Sequence, residues 1–93
     1  MRTHSVLLLP GDGIGPEVVG EAKRVMQVVA SLNDFVIDFS TADLGGVAID
    51  NKGAPYPKST RELAKSADAI LLGAVGGPAW DGLPAAERPE RGL

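Results

Sequence analysis

Apolar and polar positions alternate between two periods along the chain, and the switches mark five segments. Ser5 to Leu9, in "SVLLL", is a short apolar run that predicts a strand buried on both faces. After a glycine-rich turn, "PEVVGEAKRVMQVVASL" repeats apolar residues at helical spacing. Val18, Ala22, Val25, Met26 and Val29 form one stripe, and Glu21, Lys23, Arg24 and Gln27 take the other face. Pro16 suits the first helical position, Glu17 suits the positive end of the helix dipole, and Gly20 weakens the helix by about 1 kcal/mol relative to alanine. Phe35 to Ser40, "FVIDFS", has the β-branched and aromatic content of a strand. Gly45 to Pro57 reads as a loop with one short turn of helix. Lys58 to Ala67 reads as a short helix capped by Ser59 or Thr60, with Leu63, Ala64 and Ala67 on its apolar side. Asp68 to Ala74, "DAILLGA", is again a continuous apolar strand, and the remainder is loop with at most one short helix.

The order strand, helix, strand, helix, strand predicts an α/β fold with a mostly parallel sheet. In such sheets ligands collect beyond the carboxyl ends of the strands. The two glycine-rich loops, after Leu9 and after Leu72, fall at such ends and are the expected functional edge.

Composition narrows the chemistry. The 93 residues suit one small domain or a piece of a larger one. The 12 glycines and 7 prolines gather at 10–16, 45–57 and 73–92, as loops on a scaffold do. No cysteine is present, which removes disulfides, thiolate metal sites and cysteine nucleophiles. A net charge of −3 argues against nucleic acid or an anionic membrane as partner. The apolar run ending at Pro10 is too short for a signal-peptide core or a membrane span, so a cytoplasmic location is expected.

The stretch "LLLPGDGIGPEV" nearly matches two phosphate-binding loops and fits neither. A dinucleotide fingerprint needs glycine where Pro16 stands, and no Gly-Lys-Ser/Thr follows for a Walker loop. Spacing alone favours a tight strand-to-helix turn in which glycines supply positive φ. Asp12 would then bond its own loop's backbone, as Asx-turn residues do. Trp80 is either a packing residue or a ligand contact, and Glu90 would ordinarily be a solvated charge. His4 is an exposed residue near the terminus, and Asp43, Asp50 and Asp81 have no metal-like spacing.

As a whole string, however, "LPGDGIGPEV" resembles the amino-terminal signature of the β-decarboxylating dehydrogenases, the isocitrate/isopropylmalate dehydrogenase family. "GGVAIDNKGAPYP" and "LLGAVGGPAWDGLPAAERPERGL" resemble the loops of its isopropylmalate branch, so the similarity spans essentially the whole chain. The chain departs from that pattern at Ala79, where lysine is usual, and at Ala74, where serine is common. The resemblance implies a non-Rossmann α/β fold of which residues 1–93 are the amino-terminal part of the first, NAD-binding domain. It implies an NAD-contacting segment made of Gly77, Pro78, Ala79, Trp80, Asp81, Gly82, Leu83, Arg88, Pro89 and Glu90, with Ile14 lining the pocket from the other side. Glu90 would lie between nicotinamide and substrate, and Leu93 would meet the isopropyl group of 3-isopropylmalate.

The family reaction is oxidation of a 2-hydroxy acid by NAD with loss of the β-carboxylate, assisted by Mg²⁺ or Mn²⁺. Its metal-holding aspartates, substrate arginines, lysine and tyrosine would all lie beyond Leu93, some on the partner of a homodimer. The 93 residues are therefore expected to be a fragment without turnover of their own. Alternatives are a tartrate/D-malate or homoisocitrate enzyme, a non-catalytic nucleotide-binding module, and an inert fragment. Rates with the several substrates, saturable NAD binding, and association through exposed apolar surface would tell these apart.

Overall fold

A computed structural model describes residues 2–93. Strand β1 (Arg2–Gly11) leads into helix α1 (Gly15–Leu32), strand β2 (Phe35–Thr41), the short helix α2 (Gly46–Lys52), helix α3 (Lys58–Ser66) and strand β3 (Ala69–Ala74). Three single turns of 3₁₀ helix follow, at Pro78–Trp80, Ala85–Glu87 and Pro89–Gly92. The strands form one parallel sheet in the order β2-β1-β3. Register runs from Arg2 opposite Phe35 to Leu8 opposite Thr41 on one side, and from Val6 opposite Ala69 to Gly11 opposite Ala74 on the other.

The central position of β1 explains its sequence. With strands on both sides and helices on both faces, every residue from Val6 to Leu9 loses its water. Val6 and Leu8 face α1 and pack with Val19, backed by Met26, Ile37, Phe39 and Leu71. Leu7 and Leu9 face the opposite way and pack with Leu44, backed by Ala42, Tyr56, Ala64, Ala67 and Val75. The predicted α/β layering is thus realised around one strand, which is longer at both ends than its apolar run.

Four local expectations are corrected. The buried stripe of α1 runs through Gly15, Val19, Ala22, Met26 and Ala30, whereas Val18, Val25 and Val29 are exposed. Both stripes have helical spacing, and the sequence offers the sheet a choice that packing decides. Lys23, assigned to the polar face, lies half-buried with its ammonium 5.1 Å from the centre of the Phe39 ring. Helix α3 has Pro57 at its N-cap and no side-chain cap; Thr60 is buried and donates to the Asp43 carbonyl at 2.7 Å. Strand β3, as apolar as β1, is an outer strand, so Ile70 and Leu72 remain exposed.

Where β3 begins, Asp68 ties it to β1. The Ser5 N–H donates to Asp68 Oδ2 at 2.8 Å, and the Asp68 N–H donates back to the Ser5 carbonyl and hydroxyl, each at 2.9 Å. The Ser5 amide holds the Asp68 carboxyl below the usual carboxylate range; desolvation opposes it, and the Ser5 hydroxyl and nearby His4 add to the lowering. A carboxyl lowered in the fold stabilises it above the ordinary value and ceases to do so as pH falls through the folded value. Urea midpoints should therefore drop as pH is lowered below about 4, and Asp68→Asn should flatten that drop; an unchanged profile in the variant would place the acid sensitivity elsewhere.

Candidate functional site

The carboxyl ends of β1 and β3 lie side by side, and everything that could meet a ligand is built from there. Beyond Gly11, the Asp12 N–H donates to the Ala74 carbonyl at 2.7 Å, and the Gly15 N–H closes a turn on the Asp12 carbonyl at 2.9 Å. Gly11 and Gly13 have φ of +74° and +57°, as a tight strand-to-helix turn requires. Ile14 is the N-cap of α1 and its side chain is 64% exposed at the rim of this turn.

The Asp12 side chain does not bond its own loop. It points into the protein, 3% exposed, and collects three amides from two distant segments. Oδ2 accepts from the Gly46 N–H at 2.6 Å and from the Gly76 N–H at 2.8 Å, while Oδ1 accepts from the Val47 N–H at 2.7 Å. One carboxylate therefore fastens the first loop to the start of α2 and to the turn after β3. Nothing in local spacing announced bonds across 34 to 64 residues. The available signals were the glycine pairs 45–46 and 76–77, places where backbone amides can be approached without side-chain obstruction.

The turn after β3 carries the next layer. Gly76 has φ of +97°, and a Cβ there would collide with Oε1 of Glu90. The Glu90 carboxylate is thus laid against the backbone that Asp12 holds, and Glu90 itself is exposed. Among the described residues the salt bridge found joins Arg24 to Glu21, so the Glu90 charge is not neutralised by an ion pair. The intervening arm folds back in 3₁₀ turns. The Trp80 ring covers Gly46 so closely that a Cβ on that residue would overlap it, and its Nε1–H donates to Asp50 at 3.3 Å. Trp80 thereby has a packing role at the start of α2.

The other predicted residues are distributed along the same arm. Gly77 approaches the Trp80 ring, Pro78 and Ala79 are exposed, and Asp81 and Gly82 are exposed at the turn beyond it. Leu83 is half-buried and its carbonyl accepts from Arg88 Nε at 2.9 Å, which closes the second bend. Pro89 is fully buried, and Gly92 lies against the Pro55 carbonyl, so the arm is pinned at its far end. Leu93 is 72% exposed. The structure thus brings Ile14, Gly76–Gly77 and Glu90 to one edge through Asp12. Among the described residues no three His, Asp or Glu side chains converge as a metal site would need.

Comparisons with known proteins agree with this architecture. The isocitrate/isopropylmalate dehydrogenase family model matches residues 5–93, and the chain belongs to that family. It is 56% identical over 88 residues to a 3-isopropylmalate dehydrogenase of Shouchella clausii, covering 95% of the chain and 24% of the relative. It is 50% identical over 93 residues to the Clostridium acetobutylicum protein of the same name, covering all of the chain and 26% of the relative. Among solved structures, a β-decarboxylating dehydrogenase from Thermococcus kodakarensis superposes with a TM-score of 0.71 at 33% identity, over 87% of this chain and 23% of that one. The chain spans about a quarter of the length of the curated relatives it matches.

The Trp80–Gly46 contact gives a direct check on this edge, because Trp80 is the only tryptophan. Gly46→Ala should displace the indole, shift its emission to the red and cost about 1–3 kcal/mol of stability by overpacking. Unchanged emission would mean that Trp80 does not rest on the α2 start.

Proposed function

We propose that residues 1–93 form the amino-terminal part of the NAD-binding domain of a 3-isopropylmalate dehydrogenase, an enzyme of leucine biosynthesis. The reaction is oxidation of the 2-hydroxyl carbon of 3-isopropylmalate by NAD, with loss of the β-carboxylate as CO₂. The observation that carries the reading is the exposed Glu90 carboxylate set against Gly76 at the carboxyl edge of a parallel sheet. Family membership supports the class, and the high identity to proteins named for 3-isopropylmalate supports the substrate.

The residues at this edge fit one wall of a nicotinamide nucleotide site. NAD, when bound, supplies the hydride acceptor. Glu90 contributes negative charge, which favours the cationic oxidised ring over the neutral reduced one, and its oxygens can accept hydrogen bonds from ribose hydroxyls. Ile14 and the segment from Gly77 to Leu83 offer apolar contact and backbone polar groups to the rest of the nucleotide, without the lysine charge that Ala79 replaces. Leu93, exposed beyond the buried Pro89, offers an apolar surface to the substrate's isopropyl group. Burying such surface stabilises the larger substrate by about 25 cal/mol per Å², which discriminates against malate and tartrate. Mg²⁺ or Mn²⁺ supplies Lewis-acid chemistry at the hydroxyl and α-carboxylate. Among the described residues no cluster would hold it, and its ligands are assigned to other parts of a cytoplasmic homodimer.

The polypeptide carrying this chain should reduce NAD with 3-isopropylmalate faster than with tartrate, D-malate or homoisocitrate, and a preference for one of those would reassign the substrate. Glu90→Gln should lower kcat/KM for NAD about 10- to 100-fold, the worth of a charge-assisted contact. Residues 1–93 by themselves should show no turnover; NAD reduction by them would refute the partition of catalytic groups.

A further inference from the structure

We propose that Asp12 is the positioning residue of the cofactor edge, acting through Gly76 to set the place of Glu90. The inference rests on the reading of that edge as a nicotinamide site, and goes beyond it by assigning a role to a buried carboxylate whose side-chain hydrogen bonds come from backbone amides.

The argument starts from desolvation. A carboxylate 3% exposed is tolerated only when hydrogen-bond donors replace its water. Asp12 has three backbone donors, all within 2.8 Å, and two of them converge on the single atom Oδ2. The ladder between β1 and β3 ends at Gly11 opposite Ala74, followed by the Asp12 N–H to Ala74 bond, and Gly76 and Gly46 both lie beyond it. Space around the carboxylate is filled. A Cβ on Gly45 would come within 2.7 Å of Oδ2, so the carboxylate takes the room that a side chain at that position would need. Gly76 is held on one side by this bond and occupied on the other by Glu90, which takes the volume a side chain would need. Asp12, Gly76 and Glu90 thus form a short column from the interior to the surface.

An amide cannot take the place of the acid here. The side chain introduced by Asp12→Asn would have one oxygen for three donors, and its NH₂ would face an N–H wherever it turned. Either way an NH₂ faces an N–H, and the planar group cannot back away from that contact without lengthening the bonds on its other side, so the substitution loosens both the α2 start and Gly76. Because Glu90 contacts the cofactor and Asp12 does not, the loss should fall on cofactor binding rather than on the chemical step.

The test uses the enzyme carrying this chain. Asp12→Asn should raise KM for NAD about 10- to 100-fold, the penalty of misplacing a contact by about 1 Å, with kcat within about threefold. Amide hydrogen exchange should quicken both at 45–47 and throughout 76–93. Gly76→Ala leaves the bonds of Asp12 to Gly46 and Val47 in place. It should raise KM for NAD with faster exchange in 76–93 alone, and it serves if Asp12→Asn does not fold. An unchanged KM in the folded Asp12→Asn enzyme, or in Gly76→Ala if it alone folds, overturns the proposal. So does faster exchange confined to 45–47. If the unaltered enzyme does not use NAD, the functional reading fails. The exchange pattern then decides the column: spread into 76–93 upholds it, and confinement overturns it.

Discussion

A buried carboxylate is among the costlier groups a small domain can hold, and in this chain it is the group on which the rest of the carboxyl edge depends. Asp12 brings together three stretches that share no strand or helix: the turn before α1, the start of α2, and the turn after β3. Each donor it satisfies would otherwise be a backbone N–H without a partner, costing about 1–3 kcal/mol when buried. The parallel ladder cannot supply these acceptors, because the three amides lie past the end of β3 or at the first turn of α2. A side-chain carboxylate, with two oxygens and several lone pairs, can serve all three at once. The hydrophobic core fixes the strands, and Asp12 fixes what projects from them.

Glycines complete that arrangement through the side chains they lack. At Gly46 the absent Cβ leaves room for the Trp80 ring, and at Gly76 it leaves room for the Glu90 carboxylate. The positive φ of Gly76 is also a conformation that other residues enter only with strain. The glycine density of the loops is therefore a record of close approaches between separated segments. A flexible linker would show similar composition, but it would not place an indole and a carboxylate on two successive glycine pairs.

Periodicity made the scaffold legible. Ser5 to Leu9 read as a strand buried on both faces, which β1 is, and the alternation of element types predicted the parallel sheet. What periodicity left open was a choice between equals. Helix α1 carries two apolar stripes, and only packing against Val6 and Leu8 selects the one through Val19 and Met26. "AILLGA" reads like a second central strand, yet β3 lies at an edge, since an apolar run records the burial a strand is suited to and not its order in a sheet. At the candidate site, the motif strings mark loops that the structure gathers at the carboxyl edge, and Pro16 opens α1 where a dinucleotide fingerprint needs glycine. The role of Asp12 was not legible, because a hydrogen bond between residues 12 and 76 leaves no local trace. Thr60 was misread as a helix cap for the same reason: its partner, the Asp43 carbonyl, belongs to another segment.

The two carboxylates that flank Gly76 divide structural and functional work by solvation. Asp12 is enclosed, and its negative charge is matched by amide dipoles that cannot be displaced without opening the fold. Glu90 lies at the surface and is in no salt bridge among the described residues, so its charge is open to the cationic ring proposed for this edge. If the positions were exchanged, a buried glutamate would lose more side-chain entropy for the same bonds, and a surface aspartate would reach less far from the backbone. The shorter acid belongs inside, where its geometry is fixed by three donors. The longer acid belongs at the rim, where the backbone beneath it is already fixed and only the carboxylate has to adjust.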